Sequence, residues 1–138
     1  MSEEEAKKLL KSYKYNELTI KQREKHIEQL KEMLKNYINR QKEIKSLTNI
    51  ELDDADIREL LAEQKREEQQ LIKDMKMKNK LVAMINNLKQ PSKAILFGKY
   101  ILNMSFDEVA RDLYYSSKRI YQLHKIAIEE FAATYKEL

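Results

Sequence analysis

Two short runs near the C-terminus carry apolar residues at helical spacing, with a few polar residues between them. In the first run Ser105 and Glu108 stand three positions apart, the arrangement of a capping box that begins a helix. The pattern stops at Tyr114, after which Ser116 or Ser117 is suited to cap a second helix. The apolar faces comprise Phe106, Val109, Ala110 and Leu113 in the first helix, and Ile120, Leu123, Ala127, Ile128 and Phe131 in the second. This stretch therefore predicts a helix–turn–helix.

The N-terminal half repeats apolar and charged residues in longer helical patterns. A short helix is predicted to end near Tyr15, and a longer one to follow over residues 18–45. Thr48 and Glu51 form another capping box, which predicts a further helix over about 50–80. Heptad spacing relates Ile20, Ile27 and Leu34 on one seam and Leu30, Tyr37 and Ile44 on the next, with Arg23 and Gln41 as polar interruptions. The two long helices are expected to pair as an antiparallel hairpin within one chain, or between two subunits.

The single proline, Pro91, divides the remaining chain. The residue before a proline disfavours the helical conformation, and proline itself suits a first helical turn, so one helix should end and another begin here. Asn103 stands where a left-handed residue would end the second of these helices. The four predicted helices cover residues 79–89, 91–102, 105–113 and 117–135. The chain is thus expected to divide into a coiled N-terminal region, 1–78, and a helix–turn–helix domain, 79–138.

Composition narrows the fold class and the kind of activity. The 138 residues include one glycine, one proline and 36% charged residues, which predicts an all-α protein. Cysteine is absent and no apolar run approaches a membrane span, so we expect a cytoplasmic protein without disulfides or thiolate metal sites. No catalytic motif is present, and the spacing of Asp53, Asp54 and Asp56 does not fit a calcium loop. We therefore expect neither enzyme activity nor a cofactor nor a metal.

Charge favours a nucleic acid as the partner of the C-terminal part. The whole chain has a net charge of +4, and residues 79–138 hold nine basic and six acidic side chains, a balance of +3. A basic bias over a helix–turn–helix is what phosphate contacts require. His124 has no second ligand at metal-binding spacing, so we expect it to be solvated, to pack at the helix edge, or to approach a phosphate.

The C-terminal motif is similar to that of a known class of DNA-binding domains. It consists of Leu113, Ser116, Arg119, Ile120, Gln122 and Leu123, followed by Ala127, Ile128 and Phe131. This run resembles the promoter-reading domain of bacterial sigma factors. With its coiled N-terminal half, the whole chain looks like the small phage and prophage proteins of Gram-positive bacteria known as ArpU/RinA-type late transcriptional regulators. The resemblance implies promoter DNA as the ligand and the cytoplasm of a bacterial host as the location.

The resemblance also assigns contacts residue by residue. Base contacts are implied for Ser117, Lys118, Tyr121 and Gln122, and backbone contacts for Ser116 and Arg119. Apart from the resemblance, we also expect phosphate contacts from Lys93, Lys99, Arg111 and Lys125. Sigma factors usually have arginine at the places of Ser117 and Tyr121, so a different DNA sequence should be read. Tyr114 replaces the usual turn glycine, where a left-handed backbone costs a bulky residue about 1–2 kcal/mol.

The sequence is consistent with three functions. The first is a regulator that binds double-stranded promoter DNA, as a homodimer through residues 18–88 or together with RNA polymerase. The second is a protein-interaction module that binds RNA polymerase or a phage factor without specific DNA binding. The third is the DNA-recognition subunit of a phage packaging enzyme.

Overall fold

The computed structural model describes residues 1–51 and 53–134. Within these residues the chain is helical and contains no strand, which confirms the all-α prediction. In chain order the elements are α1 (Glu3–Thr48), α2 (Ala55–Asn86), α3 (Ser92–Leu96), a π-helical turn (Phe97–Ile101), α4 (Phe106–Asp112) and α5 (Ser117–Thr134). The predicted end of the last helix at residue 135 lies outside the described residues.

Helix α1 is continuous where the sequence predicted two helices. The predicted break near Tyr15 is wrong, because Tyr13 and Ile20 are both buried, seven positions apart on one face of an uninterrupted helix. The intervening Asn16 is only a weak helix breaker, at a few tenths of a kcal/mol. In the same way, α2 runs without interruption through residues 79–80, where separate helices were predicted, because Leu81 and Ile85 continue its buried face.

The connection between α1 and α2 also differs from the prediction. Thr48 ends α1 instead of capping the next helix, since its hydroxyl donates to the Ile44 carbonyl at 2.7 Å. The same oxygen accepts the Ile50 amide at 3.2 Å. The carboxylate of Asp53 accepts a hydrogen bond from the Ala55 amide at 3.1 Å. Asp53 therefore provides the partner for the first amide of α2.

Two compact units make up the chain. One contains Met1–Leu18 together with the described residues from Lys76 onward, and the other contains Thr19–Met75. Helices α1 and α2 each contribute to both units. This division differs from the predicted boundary at residue 78, because Ala6 and Leu10 are fully buried in the same apolar cluster as Phe131.

In the unit Thr19–Met75, α1 and α2 pair antiparallel within one chain. The Arg23 guanidinium lies 2.9 Å from the carboxylates of both Glu67 and Asp74. Nearer the connection, the Tyr37 hydroxyl donates to the Asp56 carboxylate. Arg23 interrupts the heptad pattern because its side chain meets carboxylates on α2 that local spacing does not reveal.

The other unit has two apolar clusters. The first joins α1, α2, α3 and α5 through Ala6, Leu10, Tyr13, Leu81, Ile85, Leu88, Leu96, Ala127, Ile128, Phe131 and Ala132. The second joins α3, α4 and α5 through Ile95, Val109, Ala110, Ile120 and Leu123. Together they bury one face of α5 along its length and leave the opposite face of its first turns exposed.

Gly98 lies close to side chains of neighbouring segments in this unit. A Cβ atom at this position would lie 3.3 Å from Val109 Cγ2 and 3.4 Å from Met104 Sδ. The π-helical turn therefore packs closely against α4 at this position, where a side chain would have little room.

Candidate nucleic-acid interface

Side-chain caps define both helices of the helix–turn–helix. The Ser105 hydroxyl accepts the Glu108 amide at 3.1 Å, as the capping box predicted, and it donates to the Glu108 carboxylate at 3.1 Å. The Ser116 hydroxyl accepts the Arg119 amide at 3.1 Å, so Ser116 is the residue that caps α5. Both predicted helix starts are confirmed. They were predictable because each cap joins groups that lie only three positions apart along the chain.

The turn between α4 and α5 is a Schellman motif. The Tyr115 amide donates to the Ala110 carbonyl at 2.9 Å, and the Tyr114 amide to the Arg111 carbonyl at 3.3 Å. Tyr114 lies in the left-handed region with φ 60°, and its side chain is 95% exposed. Asn103 is also left-handed, with φ 56°, as predicted.

Replacing Tyr114 by glycine should stabilise the protein by about 0.5–1 kcal/mol. Glycine removes the left-handed penalty of about 1–2 kcal/mol, which its greater freedom in the unfolded chain partly offsets. The exposed Tyr114 ring contributes little burial that would be lost. Urea denaturation followed by circular dichroism measures the change. Tyr115→Gly is the matched control: Tyr115 does not have positive φ, so this variant should be less stable than wild type. An equal loss of stability in both variants would show that the backbone of Tyr114 is not strained.

The candidate base-contacting residues occupy the exposed face of α5. Ser117, Lys118, Tyr121 and Gln122 are all exposed, while Ile120 is fully buried. Their spacing of one, four and five positions places them on adjoining turns of one helical face. The structure therefore brings these four predicted residues together.

Contacts within the chain already orient three of these side chains. The Ser117 hydroxyl donates to the Asp107 carboxylate at 3.3 Å, and Gln122 Oε1 accepts from Arg119 at 3.2 Å. The Tyr121 ring lies 4.7 Å from the Phe106 ring, centroid to centroid. Because Asp107 is negative, its carboxylate lowers the attraction of the first turn of α5 for phosphate.

The candidate backbone contacts separate into different places. Arg111, Ser116, Arg119 and Lys125 are exposed on α4, the turn and α5. Lys93 instead lines a cavity with Asp112 and Leu113, and Lys99 lines a second cavity with His124. The structure thus does not bring Lys93 and Lys99 into one cavity, because they lie on different sides of the α3 and π-helical segment.

The second cavity has a volume of about 520 Å³ and is surrounded by lysines. The first turns of α1 contribute Lys7, Lys11 and Lys14, and the π-helical turn contributes Lys99. Sequence reasoning missed the three α1 lysines as site residues, because nothing local relates them to the C-terminal helices. Their spacing of four and three positions on one helical stripe was the available signal.

His124 forms one wall of this cavity. Its Nε2 lies 2.8 Å from the Tyr100 hydroxyl, and its ring meets the Phe106 ring edge-on with centroids 4.8 Å apart. Burial, and then the charges of Lys7, Lys99 and Lys11, lower the pKa of His124 from 6.5 to about 4. Burial also raises the pKa of Tyr100. At neutral pH the cavity therefore contains a neutral imidazole beside a protonated phenol.

In residues 1–51 and 53–134, no group of three or more histidine, cysteine, aspartate and glutamate side chains is placed to hold a metal ion. Asp54 pairs with the Arg58 guanidinium at 3.0 Å, and Asp53 lies 3.7 Å from it. None of the described helices is both long enough and apolar enough to cross a membrane.

The family comparison covers most of α2 and the C-terminal helices. Residues 51–132 match the model of a family described as protein of unknown function (DUF1492). No curated protein gives a significant match, and neither does any solved structure. Because the matched segment spans more than half of the 138 residues, the chain belongs to the DUF1492 family.

Proposed function

We propose that this protein binds double-stranded promoter DNA through the exposed face of α5, as a phage-type transcriptional regulator in the cytoplasm of a bacterial host. The observation that carries the proposal is the exposed polar face of Ser117, Lys118, Tyr121 and Gln122 on a helix capped by Ser116. Helix α4 and the Schellman turn present this face at the start of the helix, where recognition helices meet base edges.

The dimensions of α5 suit a major groove. An α-helix with its side chains is about 10–12 Å across, which matches the width of the major groove of about 12 Å. The 18 residues of α5 extend about 27 Å, so several turns can lie along the groove. Gln122 is the residue proposed to specify adenine, through two hydrogen bonds to its major-groove edge. The Arg119–Gln122 hydrogen bond must open for this contact, which frees the guanidinium for a phosphate. Ser117, Lys118 and Tyr121 would supply the remaining sequence preference.

Phosphate contacts position the helix and supply much of the affinity. The cations proposed for this role beside α5 are Arg111, Arg119 and Lys125, together with the Ser116 hydroxyl. So small a number of charges gives weak binding by a single copy. A homodimer through residues 18–88, or association with RNA polymerase, would add the missing affinity. Tyr114 has a left-handed backbone, which costs energy for a bulky residue, and its exposed ring lies next to this surface, which supports a contact with the DNA backbone.

A fluorescence-anisotropy titration tests the proposal. The probes are labelled duplexes of random sequence and fragments from the gene's own genomic neighbourhood, at about 50 and about 200 mM salt. Wild type should bind with an affinity that falls as salt rises. The Lys118→Ala/Gln122→Ala variant should bind its preferred fragment roughly tenfold more weakly, since it loses a phosphate or base contact and an adenine contact.

Lys25→Ala/Gln29→Ala is the matched control for this titration. It removes the same two residue types at the same spacing from exposed positions of α1. DNA affinity should be unchanged in this control. Equal losses in the two double variants, or no wild-type binding at low salt, would show that α5 is not a DNA-reading helix.

The protein-interaction function is a second candidate because of the unit Thr19–Met75. Exposed apolar side chains there include Met33, Leu61, Ile72 and Met75. Such residues favour contact with another protein, such as RNA polymerase or a phage factor. A stoichiometric complex on mixing with purified RNA polymerase, with no salt-dependent DNA binding, would favour this function over DNA reading.

A further inference from the structure

The cavity between the first turns of α1 and the C-terminal helices concentrates positive charge. Lys7, Lys11, Lys14 and Lys99 line it, and no acidic residue does. Within the described part of the chain, none of these four ammonium groups forms an ion pair. Three of these lysines follow one stripe of α1 at spacings of four and three residues, and like charges that line one cavity repel one another. A bound anion would remove this repulsion.

The cavity also has the shape and polarity of a ligand site. Its volume of about 520 Å³ falls within the range of about 300–1,000 Å³ that is usual for small-ligand pockets. Phe106 provides apolar surface, and the hydrogen-bonded pair of Tyr100 and His124 provides polar atoms on one wall. Lys99 is held in place by the Phe106 ring, with its Nζ 4.5 Å from the ring centroid.

We propose that this cavity binds a phosphoryl group. Phosphate fits because it is compact, doubly charged and rich in acceptor oxygens, which match several ammonium donors and a phenolic hydroxyl. The group belongs either to a free phosphorylated compound or to the DNA backbone. The cavity is formed by residues outside the α5 reading face, so the site does not depend on that face reading DNA.

His124 supplies a local signal for binding. Its imidazole is surrounded by Lys7 and Lys11 from α1, Lys99 and Tyr100 from the π-helical turn, and Phe106 from α4. An anion among these lysines would offset the charges that disfavour the imidazolium, so its pKa should rise on binding.

The first experiment is a titration of the full chain with pyrophosphate, followed by NMR of the two imidazole rings. His124 should show a saturable shift, while His26, which lies beside Glu63 in the other unit, should not move. Lys7→Gln/Lys11→Gln should weaken pyrophosphate binding at least tenfold. The control is Lys21→Gln/Lys25→Gln, which removes two exposed lysines at the same spacing from the same helix and should bind as wild type does.

A second arm distinguishes the source of the phosphoryl group. The same variants are titrated with duplex DNA in the presence and absence of pyrophosphate. If DNA affinity is unchanged in Lys7→Gln/Lys11→Gln, the site serves a free phosphorylated compound. If DNA affinity falls and pyrophosphate competes with DNA, the site holds a backbone phosphate.

The proposal is overturned by either of two results. One is that the His124 and His26 signals move equally and without saturation, which indicates general charge screening. The other is that the control pair weakens pyrophosphate binding as much as the cavity pair. Loss of DNA binding in the α5 variant alone leaves the pyrophosphate result unaffected, so failure of the DNA-reading function is separable from failure of this site.

Discussion

Leu10→Ala is expected to lower the free energy of unfolding by about 2–5 kcal/mol, the usual loss when a buried leucine is truncated. Leu10 is fully buried and shares a cluster with Ile85, Ile128 and Phe131. The loss combines the transfer of the removed methyl groups with the cavity left behind. Urea denaturation followed by circular dichroism measures it. The result would establish that the N-terminal turns belong to the core of the helix–turn–helix unit.

Leu47→Ala provides the control for this effect. Leu47 lies on the same helix but is 84% exposed, so its truncation should change stability by no more than about 0.5 kcal/mol. If Leu10→Ala were as mild as Leu47→Ala, the first turns of α1 would not be packed against α5 in solution. In that case a chain that starts at residue 79 should fold by itself. From the structure we expect instead that such a chain exposes Phe131 and does not fold, because residues of α1 cover Phe131.

Acid should destabilise the protein through His124, by about 1–2 kcal/mol. The folded pKa is about 4 and the ordinary value is 6.5, so the neutral imidazole is favoured by folding. This stabilisation is present above pH 6.5 and is lost as the pH falls toward 4, because only the unfolded chain takes up the proton in that window. The full shift corresponds to about 3 kcal/mol, and solvent screening at the open cavity reduces the expected effect.

Urea denaturation at about pH 7 and about pH 4.5 tests this window. His124→Gln should lose less stability between the two conditions than wild type, because no imidazole remains in the cavity to be protonated. His26→Gln should lose as much stability as wild type between the two conditions, since the His124 imidazole is still present in the cavity. If His124→Gln and wild type lose the same amount, other groups account for the acid sensitivity.

The helix–turn–helix was predictable because its signals are local. Ser105 meets the amide of Glu108, and Ser116 meets the amide of Arg119, each three positions along the chain. The left-handed position of Tyr114 follows from where α4 must end, even though the residue itself opposes that conformation. The exposed face of α5 was predictable for the same reason, since 3.6-residue periodicity separates buried from exposed positions.

The lengths of α1 and α2 were predicted less well. Residues with weak local preferences, such as Asn16 and Thr48, leave the choice between continuing and ending a helix nearly balanced. Burial of residues on either side then decides, as Tyr13 and Ile20 do for α1. Arg23 illustrates the same limit, because its interruption of the heptad pattern has a reason only once Glu67 and Asp74 of α2 are beside it.

By itself, then, the sequence determined the all-α class, the capped helix–turn–helix and the residues on the outer face of α5. All of these depend on hydrogen bonds and periodicities that act within a few residues. Only the tertiary structure decided that the first turns of α1 complete the C-terminal core, and that Lys7, Lys11 and Lys14 meet Lys99 and His124 around one cavity. A site assembled from opposite ends of a chain depends on packing, because charge and hydrogen bonding act through space and no local pattern records which distant residues will face each other.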